Sequence, residues 1–275
     1  MSEWREIIGL FRFIGFGMIE SVKKIEDKLT FSKKFTFCTL VTRLEEYLEM
    51  VESAKQKGFD GDDVEFLYFD NATSNQFDGF SGVNRAIKTA QGKYLIFCHQ
   101  DLLFKYDNRE HLEKCLEELN TRDPHWAVAG NAGRCMNGRH YVRISDPHGD
   151  SINEGPFPQE VMSVDENFFI INQQVNIAST AVLKGFHLYG LDLCQNAKYL
   201  GLKSYVIDFH LFHKSGGNVD KGYFDIQRRY MDVQRERKTE QWFFPMCSVF
   251  FVSSSRLLNW WLNIKRVRKL LNKKQ

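Results

Sequence analysis

"SGVNRAIKTAQGKYLIFCHQD", residues 81–101, passes from helix to strand and out again. Val83, Ala86, Ile87 and Ala90 recur at spacings of three and four, which puts them on one face of a helix. Gly92 ends that pattern. Tyr94 to Cys98 then run apolar without a break, as in a strand covered on both faces. His99, Gln100 and Asp101 arrive where the strand should stop. A cation ligand pair, a helix cap and a plain turn all have this form.

The same alternation extends in both directions. "KFTFCTLVT", residues 34–42, is β-branched and aromatic and reads as a buried strand. Thr42 and Glu45 have the spacing of a capping box. Leu44, Tyr47, Leu48 and Val51 then stripe a helix that Gly58 closes. "VEFLYFDN" (64–71) is a second strand, "NREHLEKCLEEL" (108–119) a helix and "HWAVAG" (125–130) a short strand. "VMSVDENFFII" (161–171), the helix "LDLCQNAKYLG" (191–201) and the strand "LKSYVID" (202–208) continue the series. Strands alternating with helices of this length predict an α/β fold with a mostly parallel central sheet flanked by helices. Residues 131–160 are rich in Gly, Pro, Asn and Asp and read as loops, with the length of an active-site lid.

Composition sets the class. The chain has 275 residues, 43% hydrophobic and 26% charged, enough for one large domain or two small ones and for a substantial core. Of its 37 Lys/Arg, seven fall in residues 241–275, which contain no Asp or Glu. The rest of the chain carries 30 basic against 35 acidic residues, a balance that argues against a nucleic-acid partner. Six cysteines at 38, 98, 115, 135, 194 and 247 form no CxxC pair and read as buried thiols of a reducing compartment. The N-terminal apolar stretch lacks a cleavage site, and the uncharged run "QWFFPMCSVFFVSSS" is fifteen residues, partly polar and too short to span a bilayer. These features predict a cytoplasmic protein. Three segments are expected: a peripheral helix over 1–30, the α/β domain over 31–240, and a basic amphipathic tail over 241–275. In the tail, a helix from 256 places Leu257, Trp261, Ile264, Val267 and Leu271 on one face between basic residues. That pattern fits peripheral contact with the inner face of a cell membrane, or docking on the body.

In open α/β sheets, ligands bind beyond the carboxyl ends of the strands. Three such ends are polar: Thr39 to Thr42, Asp70–Asn71, and His99–Gln100–Asp101. They should converge on one crevice, with Asp165, Asp192 and His213 joining from the second half. Asp and His there suit a divalent cation, Mg²⁺ by carboxylate oxygen, and Mn²⁺ once an imidazole takes part. Each residue also has a plainer role. Asp101 could cap a turn, and Asp192 could serve a helix dipole. His213 could belong to the turn before Gly216–Gly217, and Asp70–Asn71 could be turn formers.

Residues 81–101 resemble the donor-site segment of family-2-type glycosyltransferases with the GT-A fold, in which the apolar strand ends in Asp-x-Asp. Residues 186–217, "FHLYGLDLCQNAKYLGLKSYVIDFHLFHKSGG", resemble the acceptor-side segment of that family. The resemblance covers about 35 to 220 and implies a nucleotide-diphosphate sugar donor, a glycan or lipid-linked acceptor, and a role in bacterial surface polysaccharide biosynthesis. It implies that Thr39, Asp70, Asn71, Asn84 and Arg85 bind the nucleotide sugar. Asp101, His99 and His213 would hold Mn²⁺ or Mg²⁺. Asp192, with Asp165 in reserve, would deprotonate the acceptor for an inverting displacement. Two positions depart from the pattern. His99 replaces the first Asp of Asp-x-Asp, and Gly190 stands where many relatives have an Asp. The rival readings are a sugar nucleotidyltransferase, for which "TLVTRLEEY" lacks the glycine-rich basic loop, and a non-catalytic nucleotide- or glycan-binding relative.

Overall fold

The computed structural model describes residues 25, 29–217, 221–243, 245 and 250–264. The helix expected over 1–30 and the tail beyond 264 lie outside them. The first half runs β1 (Lys33–Val41), α1 (Leu44–Gln56), β2 (Val64–Asp70), α2 (Gly79–Thr89), β3 (Gly92–Cys98), β4 (Leu102–Leu103), α3 (Arg109–Arg122) and β5 (Trp126–Gly130). Short strands follow: β6 (Ala132–Arg134), β7 (His140–Asp146), β8 (Gly149–Glu154), β9 (Gln159–Glu160) and β10 (Ser163–Val164). The chain closes with β11 (Phe168–Asn172), α4 (Tyr189–Tyr199), β12 (Lys203–Val206), β13 (Leu211–His213), α5 (Lys221–Arg237), β14 (Gln241–Phe243), β15 (Phe250–Val252) and α6 (Arg256–Leu262).

Seven strands form the central sheet in the order β2-β1-β3-β11-β5-β12-β9. β1 lies parallel to β2 and β3, and β12 parallel to β5. β11 runs antiparallel to both β3 and β5, and β9 antiparallel to β12. Five strands therefore share one direction and two are reversed, which makes the sheet mixed but mostly parallel, with helices against it. Strand β3 shows why the uninterrupted apolar run was needed. Tyr94, Ile96 and Cys98 enter one core layer with Phe35, Phe37, Phe59 and Trp126. Leu95 and Phe97 enter the other with Phe80, Val83, Phe169 and Leu193. The period of two is present, but both faces are apolar. Gly92 allows β3 to start so close to β1: a Cβ there would lie 2.6 Å from Thr36 N.

Two expectations are corrected. Thr42 does not cap α1: the N-cap is Arg43, with no side-chain cap. The capping box belongs to α2, where the Asp78 carboxylate accepts from Phe80 N and Ser81 N, and Ser81 Oγ accepts from Asp78 N. Residues 131–160 are also not a lid of loops. They build most of a second sheet, β10-β6-β7-β13-β4, with β8 paired to β7. The turn residues sit at hairpin ends, as at Gly138 with φ 85°, and conceal strands with few buried positions, Ala132 of β6 and Tyr141, Ile144 and Ser145 of β7. This sheet matters for function because β13 pairs with β4, setting His213 opposite Leu102 and hence beside Asp101.

Candidate active site

Beyond the carboxyl ends of β1 and β3 lies a crevice of about 360 Å³. Thr42, Arg43, Asn71, His99, Gln100, Asp101, His187, Tyr189, His213 and Ser215 are among its lining residues. Ligand atoms of His99, Asp101 and His213 lie within 4.8 Å of one another, the one such group of metal-binding residue types among the described residues. His213 Nε2 is 3.3 Å from Asp101 Oδ1 and 3.1 Å from Ser215 Oγ. The His99 and His213 rings are 5.5 Å apart between centroids. His99 is fixed at its backbone, where its N–H donates to Asn167 O at 2.9 Å.

Electrostatics favour ligation. Burial alone would raise the Asp101 carboxyl, but the hydrogen bond and charge of His213, then the charge of His99, hold it well below the usual carboxylate range. Burial, followed by the neighbouring His213, pushes His99 down, towards the neutral imidazole that binds metals. Two imidazoles and one carboxylate fit a first-row divalent cation with open positions, and fit Mg²⁺ less well.

Gln100, the middle residue of the motif, faces the other way. Its Oε1 accepts from Thr42 N at 2.8 Å and Arg43 N at 3.0 Å, and its Nε2 donates to Thr42 Oγ1 at 3.1 Å. It therefore holds the two residues that lead into α1. Arg43 in turn pairs with Glu46 at 2.7 Å and carries a positive charge to the rim of the crevice.

Several residues expected at the site lie elsewhere. Thr39 is fully buried beneath it, with Oγ1 3.6 Å from Cys98 Sγ. Strand β1 ends two residues later, so Thr42 takes the rim position. Asp70 is exposed and closes a turn by accepting from Ala72 N at 3.0 Å. Asn71 does reach the crevice while bracing the following loop through Phe77 O at 2.7 Å. Asn84 and Arg85 line a separate groove, and the Asn84 amide ties α2 to Ser179 by both its oxygen and its nitrogen. Asp192 is fully buried. It accepts from Thr180 N at 2.6 Å, Thr180 Oγ1 at 2.7 Å and Asn196 Nδ2 at 3.2 Å, so its carboxylate is spent on the fold and does not line the crevice. Asp165 is exposed and holds Asn167 through its N–H and its side-chain amide.

A second groove, about 600 Å³, runs past β6, β7 and the start of α4. Asp165, Glu166, Arg134, His140, Leu188 and Tyr223 line it. Tyr189 lines the crevice and reaches towards Glu166: its hydroxyl is 3.5 Å from His99 Nε2 and donates to Glu166 O at 3.5 Å. Sequence reasoning took Asp165 from "VDENF" and passed over Glu166 beside it. The signal for Glu166 is spatial, since it depends on α4 returning to meet the segment before β11.

No protein-family model matches the chain. Solved structures align with the chain at low sequence identity and at TM-scores below 0.5. TarS of S. aureus aligns over 71% of this chain at 14% identity and TM-score 0.44, and this chain spans only 38% of TarS. The mannosyltransferase PcManGT from Pyrobaculum calidifontis, in complex with GDP-Man and Mn²⁺, aligns over 79% of this chain and 69% of its own, at 12% identity and TM-score 0.47. Glucosyl-3-phosphoglycerate synthase from Mycobacterium tuberculosis, with Mn²⁺, UDP-glucose and phosphoglyceric acid, aligns over 84% and 94%, at 10% identity and TM-score 0.43. A curated Fuscovulum blasticum protein is much nearer in sequence: 34% identical over 227 residues, 80% of this chain and 88% of its own length. With that identity held across most of both chains, this protein belongs to the family of the Fuscovulum blasticum ATP synthase subunits region ORF 6 protein.

Proposed function

We propose that this protein is a GT-A-type glycosyltransferase that moves a sugar from a nucleotide-diphosphate donor to a glycan or lipid-linked acceptor, with inversion, in surface polysaccharide assembly. The observation that carries the reading is the His99–Asp101–His213 cluster at the mouth of a crevice beyond parallel strands β1 and β3. A divalent cation bound there would neutralise the charge that builds on a diphosphate leaving group. Arg43 and Asn71 border the same space and offer a charge and an amide to the nucleotide. The His99 and Asp101 side chains hold their positions because Asn167, His213 and Gln100 fix the strand end around them.

The test is thermal shift with UDP-, GDP-, ADP- and dTDP-linked hexoses, with and without Mn²⁺, followed by assay of nucleoside diphosphate release. A Mn²⁺-dependent rise with one nucleotide class is expected, since ligand binding to the folded state raises the melting temperature. No response to any donor overturns the reading.

The same reading assigns the C-terminal segment to the surface of an anionic bilayer. Among the described residues no helix is long and apolar enough to cross a membrane. Instead β14, β15 and α6 are tied into one unit, with Asn263 accepting from Phe251 N at 3.0 Å and donating to Phe251 O at 2.8 Å. The unit leaves Leu257, Trp260 and Trp261 exposed at 74%, 66% and 55%. Exposed indole and leucine on a segment with seven basic and no acidic residues suit a headgroup interface. Docking there would bring a lipid-linked acceptor to the enzyme.

A further inference from the structure

We infer that Glu166 is the carboxylate that takes the proton from the acceptor hydroxyl, an assignment that rests on the glycosyltransferase reading of the crevice. The first turn of α4 offers its N–H groups to the groove and carries no side chain at Gly190. A Cβ there would lie 2.6 Å from Val164 O and 3.3 Å from Glu166 Oε1. Val164 O and the Glu166 carboxylate occupy that space, and Glu166 Oε1 accepts from Gly190 N at 3.1 Å. A carboxylate that begins on the strand side is thus held at the positive end of an eleven-residue helix, where its charge is favoured.

Position supports the role. Glu166 lines the second groove, and one residue of the crevice, Tyr189, bridges its backbone to His99 of the His99–Asp101–His213 cluster. The neighbouring carboxylates have other work: Asp192 is fully buried in its hydrogen bonds, and Asp165 is exposed and closed on Asn167. Burial, then the charge of Asp165, pushes the Glu166 carboxyl up to about 8, which makes its ionised form a stronger base than an ordinary glutamate. The titratable and charged groups around it are Asp165 on its own segment, Tyr189 and Cys194 on α4, and Arg134, His140 and Tyr223 across the groove.

In the step assigned to it, the acceptor oxygen forms a bond to the anomeric carbon and gives its proton to Glu166. The bond from that carbon to the diphosphate oxygen breaks, and its electron pair leaves with the nucleoside diphosphate. Water in place of the acceptor follows the same course and releases free sugar. A helix cap alone would explain the contact with Gly190, and the substitution Glu166→Gln separates the two roles. The amide oxygen still accepts from Gly190 N but cannot take a proton.

Nucleoside diphosphate release from the donor selected by thermal shift is measured for the wild type, Glu166→Gln and Glu166→Asp, with Mn²⁺, from pH 6 to 9. At pH 6 Glu166→Gln is expected to keep the wild-type melting temperature, and across the range to keep donor KM within about threefold while kcat falls about 100-fold or more. Wild-type kcat should rise with pH to a plateau above about 8, a limb missing from the residual rate of Glu166→Gln. Glu166→Asp should fall between the two. A Glu166→Gln enzyme that keeps more than a third of wild-type kcat, or keeps the pH limb, overturns the assignment and leaves the glycosyltransferase reading standing. A wild type that neither binds nor cleaves any donor overturns both.

Discussion

His213 Nε2 and Asp101 Oδ1 lie 3.3 Å apart, with the two side chains only 8% and 11% exposed. One ends a strand of the second sheet and the other follows a strand of the first, so the pair exists only once β13 has docked on β4. Asp101→Asn keeps the shape and removes the charge. The variant should lose the Mn²⁺-dependent rise in melting temperature and at least about 100-fold of nucleoside diphosphate release. Unchanged cation response by thermal shift would separate Asp101 from the metal.

The two imidazoles set a preference among cations. Nitrogen ligands favour Mn²⁺, Co²⁺ and Zn²⁺ over Mg²⁺, which prefers oxygen. Stabilisation by Mn²⁺ should therefore exceed that by Mg²⁺ at equal concentration. His99→Asp, which rebuilds Asp-x-Asp, should narrow the gap. An equal response of the wild type to both ions would count against nitrogen ligation.

Gln100, between His99 and Asp101, braces the start of α1. Gln100→Ala leaves Thr42 N and Arg43 N without the oxygen they share. Both residues are exposed, so water can take the oxygen's place and the loss is that of ordinary hydrogen bonds, about 1 kcal/mol or a few degrees of melting temperature for a protein of this size. Urea unfolding should register that loss with the denaturant slope unchanged.

Asp192→Asn tests where that carboxylate acts. The asparagine oxygen can still accept from Thr180 N and Asn196 in the place of Oδ2, but its NH2 then faces Thr180 Oγ1, which donates to Oδ1 in the wild type, and the charge of the carboxylate is lost. A loss of about 2 kcal/mol or more is expected, with kcat of the folded protein at low temperature held within about threefold. A collapse of kcat at unchanged stability would return Asp192 to the chemistry.

Glu166 also makes stability depend on pH. Its carboxyl rises from 4.5 to about 8 in the folded protein, chiefly by burial. Between those values the native state binds more protons than the unfolded state, so this group's contribution is present at low pH and lost as pH rises through about 8. Glu166→Gln, which does not titrate, should gain on the wild type between pH 5 and pH 9 in parallel urea titrations. A constant difference across that range would mean the side chain is solvated.

The sequence carried most of the sheet because β1, β3 and β11 are apolar on both faces and admit no other placement. It carried Asp101 and His213 because strand ends in an α/β chain point to one side. It did not carry Thr42 in place of Thr39, since that depends on where β1 stops, a matter of two residues. Nor did it carry the second sheet, whose strands are short and polar on one face. Glu166 was out of reach for a different reason. Its partner Gly190 is twenty-four residues away, and a glycine carries no sign of the side chain that fills its place.

The C-terminal unit makes the last prediction. Trp260 and Trp261 are adjacent on α6, both exposed, and Leu257 lies one turn earlier. If they enter a headgroup layer, the full chain should cosediment with vesicles of about half phosphatidylglycerol and not with pure phosphatidylcholine. Each basic residue near an anionic surface contributes about 1 kcal/mol at low salt, so raising the salt to about 0.5 M should release the protein. The double substitution Trp260→Ala, Trp261→Ala should weaken binding about tenfold or more with the melting temperature kept, because neither ring is buried in the fold. Tryptophan emission should shift to the blue on binding in the wild type and much less in the variant. Cosedimentation that ignores both lipid charge and the tryptophans would assign the exposed face to another occupant.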